Sequence, residues 1–166
     1  MPANGDSEKT NPRGSSEISE LLDSTLRTQR LCLFVGSFPT DAQSTAPLFS
    51  RLSHLGVVAE TTIRSKTVFV LTKKGKGSYD RRNQQLCYAT PHLITIEDIS
   101  IAKVELDTFG KVTYSYKLRD VEPWALDPVI QANYPRIKRG LDNLAEGSAY
   151  LLYHDQRWSV QTIGLQ

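Results

Sequence analysis

The sequence predicts an α+β fold with a mainly antiparallel sheet, about three packed helices and a disordered N-terminal arm. The chain has 166 residues, of which 39% are hydrophobic and 23% charged, as is usual for one folded domain. About seven or eight β-rich segments are joined mostly by connections too short for parallel crossovers. We therefore expect an arm over residues 1–16 and a single α+β domain over residues 17–166.

A polar arm is followed by a helix. Residues 1–16 contain Pro, Gly, Asn, Ser and charges with almost no apolar side chain, so burial would not repay the entropy of ordering them. Ser15 or Ser16 can cap the helix that follows. Its apolar stripe consists of Ile18, Leu21, Leu22 and Leu26. We expect this helix to pack against the domain.

A strand, a second helix and a pair of strands are predicted next. The apolar run over residues 31–36 is typical of a short strand. Three leucines at core spacing predict a helix, and they are Leu48, Leu52 and Leu55. This helix should end at Gly56. Residues 57–64 and 67–72 are β-rich, with a turn between them.

A basic loop and further strands are predicted after these. Residues 73–85 combine Lys, Arg and Gly without apolar periodicity, which indicates an exposed loop. Strands are expected over residues 85–89, 93–101 and 103–106. After a turn at residues 107–110, a further strand has alternate inward residues, which are Val112, Tyr114, Tyr116 and Leu118.

The C-terminal part predicts a third helix and a hairpin. Asp127 followed by Pro128 is a cap and first-turn proline, so a helix should begin there. Pro135 should kink or split it, and Gly147 should end it. Two β-rich segments then predict a closing hairpin, with Trp158 in its core.

The two cysteines give information about the redox environment of the protein. Cys32 and Cys87 each lie in an apolar run and match no metal or redox spacing, so we expect buried, reduced thiols. No apolar stretch approaches the ~20 residues of a spanning helix, and the N-terminus has no segment of signal-peptide type. These features indicate an intracellular, reducing environment.

No catalytic, metal or cofactor site is indicated by the residue spacing. His54, His92 and His154 are scattered, without a second ligand at metal spacing. Glu97 and Asp98 are adjacent, so on a strand they face opposite sides and cannot act as an acid and base pair. The chain also lacks the nucleophile, phosphate-loop and dinucleotide motifs. We expect a binding or structural protein, and not an enzyme.

The positive charge is concentrated in one segment. The net charge is only +2, yet residues 64–82 hold seven Lys or Arg against one acid, Asp80, which gives +6 there and −4 elsewhere. We call the seven cations the basic segment, and they are Arg64, Lys66, Lys73, Lys74, Lys76, Arg81 and Arg82. They predict an anionic partner, either lipid, RNA or a nucleocapsid, with Tyr79 as a possible aromatic contact.

Residues 33–58 resemble the first strand, loop and helix of an RNA-recognition-motif domain. The segment TVFVLT, about 33 residues after the first strand, falls near the position of that family's second RNA-binding strand. This resemblance implies an RNA-binding module in which the basic segment contacts phosphates.

The order of elements resembles that of rhabdovirus matrix proteins, particularly the small ones of plant rhabdoviruses. A polar arm precedes LCLFVGSFPT and the helix PLFSRLSHLG, and KVTYSYKLRDVEP is similar to the strand and turn before that family's C-terminal helix. AYLLYHDQRWSVQTI is similar to its closing hairpin. The resemblance implies a structural protein that self-associates, binds and condenses the viral ribonucleoprotein and attaches peripherally to membrane.

The leading hypothesis is therefore a viral matrix protein whose partners are its own copies, the nucleocapsid and an anionic membrane surface. It would be found in the virion and in the host cytoplasm, at membranes or in the nucleus. The alternatives are an RNA-binding module and a viral accessory protein that acts through protein contacts.

Overall fold

Five α-helices and nine β-strands are present in the part of the chain that the computed structural model describes, residues 12–43 and 47–165. The helices are α1 (Pro12–Arg27), α2 (Pro47–His54), α3 (Lys73–Ser78), α4 (Pro128–Asn133) and α5 (Pro135–Asp142). The strands are β1 (Leu31–Phe34), β2 (Thr40–Asp41), β3 (Val58–Ile63), β4 (Lys66–Leu71), β5 (Tyr79–Asp80), β6 (Gln85–Val104), β7 (Asp107–Arg119), β8 (Ala145–His154) and β9 (Arg157–Leu165). The predicted α+β class with antiparallel pairing is confirmed.

The chain divides into two compact units. Among the described residues, the first unit contains α1, residues 91–117 and residues 143–165, and the second contains residues 30–90 and 118–142. Strands β6 and β7 contribute residues to both units. The prediction of one domain over residues 17–166 stays a prediction, and most of the predicted arm, residues 1–11, lies outside the described residues.

Helix α1 belongs to the first unit and packs against β9. Its predicted stripe is confirmed, because Ile18, Leu22 and Leu26 are at most 1% exposed. The helix begins at Pro12, a few residues before the predicted serine caps. Proline suits the first turn of a helix, where its missing N–H has no helical partner.

The sheet of the first unit is an antiparallel meander in the order β6, β7, β8, β9. The predicted alternation along β7 is confirmed, since Val112, Tyr114 and Tyr116 are at most 3% exposed. Gly147 does not end a helix as predicted. It lies opposite Tyr114 in the β7–β8 register, where an added Cβ would be 2.7 Å from the Tyr114 ring. Glycine fits this position because the backbone of β8 lies close to the Tyr114 ring, and not because a helix ends there.

The predicted hairpin at the end of the chain is confirmed as β8 and β9. These strands pair antiparallel from Gly147↔Leu165 to His154↔Arg157. Trp158 is half-buried, and its ring centroid is 5.0 Å from that of Tyr153.

The second unit contains two groups of paired strands. β6 pairs with β1 and with β5, whereas β4 lies between β2 and β3 in a separate sheet. Helix α2 supplies apolar side chains to this unit, and Phe49 stacks on Phe69 of β4 with centroids 5.8 Å apart. The helix predicted after Asp127 is split at Pro135 into α4 and α5, as expected.

Cys32 and Cys87 form a disulfide bond in the second unit, so the prediction of reduced thiols is wrong. The two residues lie directly opposite each other in the β1–β6 ladder, with Cα atoms 3.8 Å apart. They are 55 residues apart in sequence, and only the strand register brings them together. The intracellular location, which rested partly on reduced thiols, stays a prediction. No helix among the described residues is long and apolar enough to cross a bilayer.

Candidate anion-binding surface

All seven cations of the basic segment lie in the second unit and are exposed. None of them forms a salt bridge with a residue that the structure describes. They occupy three local structures: the β3–β4 turn, helix α3 and the turn between β5 and β6. The sequence predicted the exposure of these residues and the turn between β3 and β4, but not the helix α3.

The β3–β4 turn carries Arg64 and Lys66. Ile63 pairs with Lys66, so the loop has two residues, Arg64 and Ser65, with φ angles of +49° and +66°. Positive φ at both central positions is typical of the hairpin turn whose twist matches that of the strands. The turn therefore places Arg64 and Lys66 at the tip of a two-stranded hairpin.

Helix α3 occupies the position where the sequence predicted a loop, and this prediction is wrong. Thr72 caps the helix, since its hydroxyl oxygen accepts a hydrogen bond from the Gly75 N–H at 3.1 Å. The same hydroxyl donates to the Gly56 carbonyl at 2.6 Å. Glycines lower helix propensity, so the sequence of α3 favoured a loop. The Thr72 cap and tertiary contacts together stabilise the helix.

Gly75 fits its position because it has no side chain. An added Cβ there would lie 2.1 Å from the Val57 carbonyl oxygen, well inside van der Waals contact. At Gly77 an added Cβ would meet nothing within 4 Å. The backbone of α3 therefore lies directly against the start of β3. This contact positions Lys73, Lys74 and Lys76 together on one short helix.

The turn between β5 and β6 carries Arg81 and Arg82. The Asp80 carboxylate accepts hydrogen bonds from the backbone N–H groups of Arg82 and Asn83, at 3.0 and 3.3 Å. It also accepts one from the Asn83 side chain at 2.7 Å, and this bond is the largest cause of the lowered pKa of Asp80. The single acid within residues 64–82 thus stabilises the turn that presents the two arginines.

Tyr79 is packed into the second unit. Its hydroxyl donates to the Gly36 carbonyl at 2.8 Å, and its ring stands edge-on to Phe38 with centroids 5.3 Å apart. Burial is the largest cause of the raised pKa of Tyr79. The ring thus has a structural role, and its predicted contact with a ligand stays a prediction.

The basic segment is separated into groups along the hairpin. The β3–β4 register runs from Val58↔Leu71 to Ile63↔Lys66, which is five residue steps, or about 17 Å of strand. Charges are largely screened from one another beyond about 8 Å at physiological salt. The cations at the hairpin tip therefore attract an anion independently of those on α3.

The two strands that resemble the RNA-recognition motif do not share a sheet. β1 pairs with β6, whereas β4 pairs with β2 and β3. That family places its RNA-binding aromatic residues on one four-stranded sheet. The single-sheet platform is therefore not present in these strands.

Ser115 is a buried hydroxyl that lies next to a carboxylate. It donates a hydrogen bond to the Glu97 carboxylate and is 1% exposed, so it is inaccessible to a substrate. Among the described residues, no group of three or more His, Cys, Asp or Glu side chains could hold a metal ion. No family model, curated protein or solved structure matches this chain.

Proposed function

We propose that this protein is a viral matrix protein: it self-associates, binds and condenses the nucleocapsid and attaches peripherally to an anionic membrane. The observation that carries the proposal is the exposure of seven cations on defined local structures, without a salt bridge to any described residue. In this proposal the protein is found in the virion and, in the host cell, in the cytoplasm, at membranes or in the nucleus.

The arrangement of the cations suits a broad anionic surface. Each Lys or Arg close to an acidic bilayer contributes about 1 kcal/mol of attraction, and the contributions of neighbouring charges add. The α3 group places three lysines within four residues, and the hairpin tip adds two cations about 17 Å away along the strands. Separate groups of this kind favour an extended charged surface over one small ligand.

RNA binding is the second candidate function, and the turn between β5 and β6 favours it. Arg81 and Arg82 are adjacent and exposed on a turn stabilised by Asp80. Guanidinium groups bind phosphate with two parallel hydrogen bonds, which makes paired arginines good phosphate ligands. The same two residues would contact the nucleocapsid in the matrix proposal if its RNA is accessible.

Flotation with lipid vesicles tests the membrane part of the proposal. Wild-type protein should float with vesicles containing phosphatidylserine and not with neutral vesicles. The triple variant K73E/K74E/K76E should lose most of this binding. The control K117E/K138E/R157E changes the net charge equally at exposed positions outside the basic segment and should keep it. Equal loss in both variants would show a general charge effect and count against a membrane surface on α3.

Salt titration of RNA binding tests the second candidate. Affinity for a single-stranded RNA should fall steeply with salt, and R81Q/R82Q should reduce the logarithmic slope by about 1.4 units. Retained vesicle flotation with no RNA binding at low salt would leave the matrix proposal and eliminate the RNA module.

A further inference from the structure

The two compact units of the chain carry opposite net charges. Over its described residues, 12–29, 91–117 and 143–165, the first unit has six Lys or Arg against nine Asp or Glu, which gives −3. The second unit has 13 Lys or Arg against seven Asp or Glu, which gives +6. Surfaces of opposite potential attract each other and favour particular docking orientations. Unlike units of two copies therefore attract each other.

Two turns lie side by side at one end of the first unit's sheet. Residues 105–106 connect β6 to β7, and residues 155–156 connect β8 to β9. Thr108 of β7 lies opposite Tyr153 of β8, which in turn lies opposite Trp158 of β9. This row crosses two strand spacings, or about 10 Å. We call the two turns and this row the turn end.

A groove beside Trp158 brings acids of α1 to the turn end. The groove has a volume of about 470 Å³, and Glu17 and Glu20 line it together with Trp158 and Arg157. Lys103 and Arg157 are the cations of this region. The exposed acids that surround the turn end are Glu17, Glu20, Glu105, Asp107 and Asp155. Five acids against two cations make the region acidic.

The turn end also exposes apolar side chains. Leu106 is 100% exposed, Val104 is 56% exposed and Tyr153 is 39% exposed. Neither Glu105 nor Asp107, on either side of Leu106, forms a salt bridge with a described residue. Like charges placed against each other are unfavourable, so acidic lipid and RNA phosphates are poor partners for this surface. The chemistry instead favours a partner that is both apolar and cationic.

The tip of the β3–β4 hairpin, in the second unit, has this chemistry. Ile63 is 44% exposed and lies next to Arg64 and close to Lys66. Neither cation forms a salt bridge with a described residue. Of the three local structures that carry the basic segment, only the hairpin tip has an exposed large apolar side chain. The tip therefore matches the turn end in both charge and apolar character.

We propose that copies of this chain associate head to tail, with the hairpin tip of one copy bound at the turn end of the next. Ile63 packs on Leu106 of the next copy. Arg64 and Lys66 face the acids of that turn end. The two surfaces belong to different units of one chain, so each pair of copies leaves one tip and one turn end free. Such a heterologous contact continues into a ring or a filament.

This inference deepens the proposed function, because it names the surfaces through which matrix copies would associate. The start of β4 at the tip and its end before α3 are about 17 Å apart along the strands. A tip bound to the next copy therefore leaves Lys73, Lys74 and Lys76 free. An assembly would present one such group of lysines from each copy to an anionic surface.

A charge exchange followed by sedimentation velocity tests the contact. Wild type at low salt should form species larger than a dimer, and added salt should dissociate them. R64E/K66E and E105K/D107K should each sediment as a monomer at the same concentration. A mixture of the two variants should associate again, since each altered surface meets one of opposite charge. This recovery also shows that both variants are folded.

Three results would overturn the proposal. The first is a monomeric wild type at low salt, which would leave the turn end to a different cationic partner. The second is E105K/D107K that associates as strongly as wild type, which would place self-association elsewhere on the chain. The third is a mixture of the two variants that stays monomeric although circular dichroism shows that both are folded.

The apolar part of the contact has its own test. Leu106→Ser removes the exposed leucine and keeps every charge, so it should raise the dissociation constant by about tenfold. Leu144→Ser changes an exposed leucine just before β8, at the other end of that strand from the turn end, and should associate as wild type does. Equal affinities of Leu106→Ser and wild type would contradict the proposed contact.

Vesicle flotation separates this inference from the proposed function. E105K/D107K keeps the basic segment and should still float with acidic vesicles. If wild type associates through the turn end but does not float, the contact stands and the membrane function is wrong. If wild type floats and associates but E105K/D107K associates equally, the proposed contact alone is wrong.

Discussion

Two regions of the second unit use positive charge in opposite ways. Arg51 of α2 donates from Nε and Nη2 to both oxygens of Asp127, with distances of 2.7 to 3.1 Å. Asp127 also caps α4, since it accepts from the N–H groups of Val129 and Ile130. The basic segment, by contrast, has no salt bridge to a described acid. An ion pair joins two helices in the first region. In the second region the cations are exposed, and Lys74 donates only to the Leu55 carbonyl, at 3.4 Å.

The presence or absence of an ion pair separates a cation with a structural role, such as Arg51, from cations that are left to bind a partner. The Asp127 side chain is only 5% exposed, and its hydrogen bond from Arg51 is the largest cause of its lowered pKa. The chain has 18 acidic residues, so a shortage of acids does not explain the unpaired segment. Substitutions at the two regions should therefore change different properties: stability at Asp127 and binding in the basic segment.

The largest expected effect is at Asp127. Asp127→Asn keeps the shape but removes the charge that faces a partly buried guanidinium, so the melting temperature should fall by on the order of 10 °C. Thermal unfolding followed by circular dichroism measures it. Asp142→Asn, the same change at an exposed helix end, should shift the melting temperature little. Similar values for both variants would contradict a structural role of the Arg51 pair.

The pH dependence at Asp127 follows from the direction of its pKa shift. Because the folded pKa is depressed below the unfolded value of about 3.9, the stabilisation is present above that pH and is lost as the pH falls through the folded pKa. The gap in melting temperature between wild type and Asp127→Asn should therefore be constant near neutral pH and shrink below about pH 4. A gap that is unchanged at pH 3 would show that the charge contributes nothing.

The second effect concerns the contact that positions α3. Gly75→Ala forces the backbone away from Val57 and should reduce the free energy of unfolding by about 1–3 kcal/mol. Gly77→Ala has space and should be neutral or stabilising by up to about 1 kcal/mol. Urea denaturation compares them. If Gly75→Ala were as stable as Gly77→Ala, α3 would not be packed against β3.

A smaller effect is expected at the cap of α3. Thr72→Ala removes the acceptor for the Gly75 N–H and should cost about 1 kcal/mol of unfolding free energy. Thr72→Ser keeps the hydroxyl and should cost less. Urea denaturation resolves the difference, and equal losses for both variants would attribute the effect to the methyl group.

The smallest effect on stability is expected for the lysines of the basic segment. Lys73→Gln with Lys76→Gln should change the free energy of unfolding by less than about 0.5 kcal/mol, as surface substitutions usually do. The same double variant should bind acidic vesicles more weakly. A large loss of stability would mean that these lysines are structural, as Arg51 is.

Local patterns carried most of the fold prediction. The alternation along β7, the stripe of α1 and the start of α4 at Asp127 each depend on residues close in sequence, and each is confirmed. The prediction failed for α3 and for the Cys32–Cys87 pair, which depend on distant partners. The Arg51–Asp127 pair, 76 residues apart, gave no sequence signal.

The candidate site was predictable only as a list of charges. The exposure of the seven cations follows from their polarity. Their concentration follows from counting the charged residues within 64–82. Their separation into a hairpin tip, a helix and a turn depends on the two-residue turn at Arg64 and on the packing of Gly75.

The Cys32–Cys87 bond encloses the entire basic segment in a covalent ring. Both ends of residues 32–87 are held at adjacent positions of β1 and β6, and every cation from Arg64 to Arg82 lies between them. Trypsin that cuts at the exposed hairpin tip would therefore nick the chain without releasing a fragment. The nicked protein would migrate as a full-length chain on a nonreducing gel and separate into two pieces only after reduction. Any protease that cuts once within this surface would likewise leave both pieces attached to the fold.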